Sequence, residues 1–132
     1  MPKLVSWSLN VEISGGPKES IPKTLNLDAY DVIQVTIAKH ATDAVEVPVQ
    51  PNDDGVQLLL VQSSLYDDKL TYSVNAAESS VSKRHKLDQP LMLVGEGAVK
   101  LLGATPKRFF IYNQNDQDKE AAISILVGRN VT

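Results

Sequence analysis

His40 and His85 are the only imidazoles in the chain, and they lie in separate polar stretches. A cupin-like metal centre needs several imidazoles and carboxylates converging on one strand pair, commonly as H-x-H, and neither histidine has such a neighbour. Solvated loop histidines fit the spacing better. No serine sits in a G-x-S-x-G elbow, and none has the spaced His and Asp that a hydrolytic triad requires. The chain has no cysteine, which excludes disulfides, thiolate zinc, Fe–S clusters and thiol nucleophiles.

The remaining chemical candidates each have a plainer reading. Gly95-Glu96-Gly97 with Gly103 lacks the Gly-Lys-Ser/Thr ending of a phosphate loop and reads as turn glycines between two strands. Lys83-Arg84-His85-Lys86 is the only basic cluster; without interleaved aromatics it reads as a solvated loop tip. Oxygen-rich runs occur at Asn52-Asp53-Asp54, Asp67-Asp68 and Asn113 to Asp118, but the last lacks the glycine and glutamate of an EF-hand loop, and polar hairpin turns are expected. Trp7 shares parity with Val5, Leu9 and Val11, so it is expected in the core rather than on a sugar-binding platform. No metal or other cofactor is expected.

The elements that would position these residues follow from composition and period. The 132 residues suit one domain, residues 1–132, and 42% hydrophobic content is globular rather than disordered. Thirteen Lys and Arg against sixteen Asp and Glu give a net charge of −3, which removes the basic excess of a nucleic-acid binder. After Met1-Pro2-Lys3-Leu4 there is no continuous apolar run, so neither a secretory signal nor a membrane span is expected and the chain reads as soluble.

Val5 to Ile13 alternates apolar and polar residues with a period of two, the mark of a half-buried strand, and it ends at Ser14-Gly15-Gly16-Pro17. Ile21 to Leu27 alternates more briefly around Pro22 and reads as an edge strand. Tyr30 to Lys39, Val45 to Val49, Val56 to Val61, Leu70 to Val74, Leu91 to Val94, Phe109 to Tyr112 and Ile123 to Val127 follow. Asn75 to Lys86 is a long polar loop with room for one helical turn. No segment sustains a 3.6-residue period. About eight to ten short strands imply an all-β fold, a β-sandwich of jelly-roll-like form.

Three strands break the rule of one apolar face: Leu58-Leu59-Leu60-Val61, Leu91-Met92-Leu93-Val94 and Phe109-Phe110-Ile111-Tyr112 are apolar on both. A loop of the same chain or another subunit must cover the second face, at roughly 1.5 to 3 kcal/mol for each large side chain buried. A homo-oligomer, with a trimer favoured, is the expectation. Its interface would draw on Leu59, Val61, Leu91, Met92, Leu93, Val94, Phe109, Phe110, Ile111 and Tyr112.

Other small β families are excluded by missing residues: lipocalins carry Gly-x-Trp near the start, where this chain has Val5-Ser6-Trp7. The segments Pro90-Leu91-Met92-Leu93-Val94-Gly95 and Ile125-Leu126-Val127-Gly128-Arg129 resemble the ends of small all-β virion proteins of tailed bacteriophages, those that decorate capsids or form fibre heads. The resemblance implies a small jelly roll that trimerises on a particle with other virion proteins, in the virion or the host cytoplasm, without catalysis, nucleic acid or membrane. The alternative is a β-sandwich module that binds a glycan or peptide, which would need a concave surface with exposed Tyr30, Tyr66, Tyr72 or Tyr112. An enzyme would need His40 or His85 beside a carboxylate in a cleft.

Overall fold

The structure, a computed structural model, describes residues 3–39, 44–49, 55–103, 106–114 and 119–130. Period-two alternation becomes antiparallel strand along most of the chain, giving an all-β sandwich. The strands are β1 (Lys3–Glu12), β2 (Lys18–Leu27), β3 (Ala29–Ile37), β4 (Val45–Pro48), β5 (Val56–Ser63), β6 (Asp67–Val74), β7 (His85–Leu87), β8 (Leu91–Val94), β9 (Arg108–Asn113) and β10 (Ala121–Arg129). Strands β3 to β10 form two four-stranded sheets, a front sheet ordered β3-β10-β5-β8 and a back sheet ordered β4-β9-β6-β7. Strands β1 and β2 form a separate two-stranded hairpin, the arm.

The core lies between the sheets, where apolar residues of one parity meet. Ile37, Leu59, Val61, Ile123, Ile125 and Val127 of the front sheet face Val47, Leu70, Tyr72, Leu87, Phe109 and Ile111 of the back sheet. Phe109 meets Tyr72 edge to face, with ring centroids 5.6 Å apart. The space left among Val61, Tyr72, Leu87, Phe109, Ile111 and Ile125 is only about 10 Å³, too small for a ligand. Asn113 is fully buried, and its Nδ2 donates to the carbonyls of Ile37 (3.2 Å) and Lys119 (3.1 Å), which ties β9 to the ends of β3 and β10.

Several expectations change here. Trp7 lies on the arm, half-buried and outside the core: its parity follows the apolar face of β1, but the second sheet does not cover that face. Strand β7 emerges from the basic cluster, because Leu87 alone has to reach the core and its polar neighbours pair at an edge. Beyond Gly95 the chain makes one helical turn, α1 (Glu96–Val99), and a 3₁₀ turn at Lys100–Leu102, instead of a strand. The 75–86 segment is the expected loop, with one 3₁₀ turn at Val81–Lys83; at its start Asn75 adopts a left-handed conformation (φ 68°), and its Oδ1 accepts from the Lys107 amide at 2.7 Å.

The expected interface residues largely belong to the chain's own fold. Leu59, Val61, Phe109, Ile111 and Tyr112 are buried within it, and Leu91, Leu93, Val94 and Phe110 are half-buried; only Met92 is exposed. The second face of β9 is covered by the 75–86 loop, which is therefore a lid on the back sheet rather than a free edge. The Arg84 guanidinium stacks 3.5 Å from the Tyr112 ring centroid while its Nε donates to the Glu78 carbonyl at 2.7 Å. The Glu78 amide donates to the Tyr112 hydroxyl at 3.0 Å.

Candidate interaction surface

Among the described residues two apolar surfaces remain partly exposed, and strand register defines both. Residues directly opposite in an antiparallel pair project from the same face. On the arm, Val5 faces Leu25, Trp7 faces Lys23, Leu9 faces Ile21 and Val11 faces Glu19. One face thus gathers Val5, Trp7, Leu9, Val11, Ile21 and Leu25 with Lys23 and Glu19 among them, and the other is mostly polar, with Leu4 and Pro22 among its residues. On the apolar face Leu9 and Val11 are 44% exposed and Ile21 41%. Among the described residues β1 and β2 pair only with each other.

The second surface is the outer face of the front sheet. Val32, Leu126, Leu60 and Met92 lie side by side across all four strands in one apolar row. The adjacent row is Tyr30, Gly128, Leu58 and Val94, and the row on the other side begins Gln34, Ser124, Gln62. None of these side chains is charged, and Val32 is 55% exposed, Tyr30 52%. Depletion of charge around an apolar centre is what the core of a protein interface shows.

The two surfaces meet at the root of the arm. Leu27, on the arm's apolar face, is fully buried over Gly128, where any side chain would collide with it and crowd Leu58. Only Asp28 separates β2 from β3, and its amide bonds the Arg129 carbonyl and Asn130 Oδ1, both at 3.1 Å. Arg129 Nη2 pairs with Asp31 at 2.6 Å on the same edge. Asn130 in turn donates to the Gly55 carbonyl at 2.8 Å, and Gly55 (φ 91°) has no room for a side chain against Asn130.

No family model matches the chain, and neither a curated protein nor a solved structure matches it.

Among the described residues the other sequence candidates do not converge. His40, Asn52-Asp53-Asp54 and Asn115 to Asp118 lie outside the described residues. His85 packs on Tyr72 with centroids 5.2 Å apart, and no carboxylate is bonded to it among the described residues. Asp67 closes a local turn by accepting from the Lys69 amide at 2.8 Å. Lys100 bonds Glu96 at 2.8 Å on the solvent side of α1 and holds its carboxyl below the usual range. Among the described residues no three His, Cys, Asp or Glu gather at one point, and no helix is long and apolar enough to cross a membrane. Of the tyrosines, Tyr72 and Tyr112 are buried, the Tyr66 hydroxyl accepts from the Ser63 amide at 3.1 Å, and Tyr30 alone is largely exposed.

The signal for the surface was in the sequence. Leu60 and Leu126 were each visible as apolar residues on the polar parity of a strand. Their alignment with Val32 and Met92 depends on strand order, which alternation does not encode.

Proposed function

We propose that this chain is a non-enzymatic structural subunit, a jelly roll that self-associates as a cyclic trimer in a particle of the tailed-bacteriophage kind, as a capsid decoration or fibre head. The observation that carries the reading is the uncharged apolar row Val32–Leu126–Leu60–Met92 on the outside of the front sheet. Large apolar patches are rare on monomers and mark contact surfaces.

Strand order supports the jelly roll. Counting only the eight strands of the two large sheets, the orders are first-eighth-third-sixth and second-seventh-fourth-fifth. That order matches the interleaved pair of Greek keys expected of a jelly roll, the form of capsid and lectin domains, and so supports this reading. The segments that resemble phage virion proteins fall on β8 and β10, both in the front sheet. Among the described residues, the space left between the core side chains of the two sheets is too small for a ligand.

Light scattering at micromolar concentration tests the assembly, and the mass expected is that of three chains. The mass of one chain at every concentration overturns it. Genomic context tests the particle: capsid, portal or tail genes alongside support it, and a metabolic operon counts against it.

A further inference from the structure

We infer that the arm of one copy lies on the outer face of the front sheet of a second copy, so that each chain both gives an arm and receives one. This rests on the self-assembly proposed above and names its occupant.

The arm requires an occupant for its apolar face. A lone two-stranded hairpin is marginally stable in water and needs a third layer or strand. Here ten residues on each strand project with Trp7, Leu9, Val11 and Ile21 outside the core.

The front sheet matches it in size and chemistry. At about 3.3 Å per residue the arm is ~33 Å long, and with its side chains it is about 10 Å wide. Strands β3 and β10 run nine residues each, about 30 Å, and four strands at ~4.8 Å spacing span ~15 Å between the outer two. The apolar residues of the ribbon, Trp7, Leu9, Val11 and Ile21, therefore fit along an uncharged, apolar-centred platform, with Lys23 and Glu19 beside them. In a ring each contact buries about 330 Å² on either side, ~660 Å² in all, less than the ~1,200 Å² of a standard pairwise interface, so the copies are held by closure, a trimer burying ~2,000 Å² over its three contacts. A giving-and-receiving contact is heterologous, and it closes into a ring when the rotation allows.

At its root the arm is fixed to its own front sheet by the two bonds of the Asp28 amide and by Leu27 over Gly128, while Trp7, Leu9, Val11 and Ile21 further along it lie outside the core.

Trp7 is the only tryptophan, so its fluorescence reads arm docking directly. The full chain is followed by fluorescence and light scattering over one concentration series, together with Val32→Lys and Leu9→Lys, both at exposed positions. The result expected is a shift of Trp7 emission to shorter wavelength over the same range in which mass rises. Each variant, with an unchanged melting profile at low concentration, weakens association more than about tenfold. Val32→Lys also removes the emission shift although the substitution is on the sheet and not on the arm. Assembly without an emission shift, or assembly indifferent to Leu9→Lys, overturns arm exchange and leaves self-association standing. A short-wavelength emission independent of concentration overturns it as well, because the arm then closes on its own chain. A single-chain mass throughout overturns both readings.

Discussion

In β10, Ile123, Ile125 and Val127 alternate with Ser124 and Leu126, and each of the three is at most 1% exposed. In β1, Val5, Trp7, Leu9 and Val11 alternate with Ser6, Ser8 and Asn10, yet Leu9 and Val11 keep 44% of their surface. The local pattern is the same in both strands. What differs is the layer opposite: β10 is the second strand of a four-stranded sheet with another sheet packed on it, whereas among the described residues β1 pairs only with β2, outside both four-stranded sheets. Alternation states that a face is to be covered, and only topology states by what.

The largest expected effect separates these two regions by stability. Phe109→Ala removes a ring that is 2% exposed at the centre of the sandwich and is expected to cost about 3 to 5 kcal/mol in denaturant unfolding. Trp7→Ala, a change of similar or larger volume on the arm, is expected to leave the dilute unfolding midpoint nearly unchanged. Equal losses for the two would mean that the arm is part of the folded core.

Alkaline unfolding sharpens the same contrast. Burial pushes the Tyr72 phenol up to about 12, while in the unfolded chain it ionises near 10. Between these values the unfolded state has released a proton that the folded state retains, so stability falls as pH rises. The contribution is whole below pH ~10 and is lost as pH climbs through about 12, on the order of 2 kcal/mol. Melting curves across that window are expected to show the decline, and Tyr72→Phe to flatten it.

How much of this was legible depends on how local each feature is. The long strands β1, β3, β5 and β10 were visible because Val5 to Ile13 or Ile123 to Val127 repeats a period of two several times. Strand β7 was not, since one apolar residue, Leu87, cannot establish a period. The interface expectation took Leu59, Ile111 and Tyr112 for surface because a doubly apolar strand is equally the centre of a sheet with its second face roofed by a loop. Arg84 provides that roof through a ring contact that no spacing rule encodes. The residues that do line the exposed face were hidden by order: Val32 and Met92 are 60 positions apart and meet in one row only through β10 and β5.

Buried polarity at the far end of the sandwich gives the next effect. Asn113→Leu keeps volume but removes the two donors to the Ile37 and Lys119 carbonyls, and a loss of about 1 to 2 kcal/mol is expected from the denaturation midpoint. Arg84→Ala should act more weakly. It uncovers Tyr112 and ends a cation–π contact, for about 1 kcal/mol, and amide exchange should accelerate in 75–86 while the front sheet remains protected.

The smallest effect on the isolated chain carries the most weight for the comparison. Leu9 sits on the arm's apolar face, 44% exposed, opposite Ile21. Its truncation to Ala deletes only a half-covered cross-strand pair, so in dilute solution a change within about 0.5 kcal/mol is expected. At concentrations where chains associate, the same substitution removes a contact that a second layer would complete, and the melting temperature of the wild type should then rise with concentration while that of Leu9→Ala lags behind it. A residue that matters little alone and more in company is being stabilised by something outside its own chain, whereas a core residue such as Ile125 would show the same loss at every concentration.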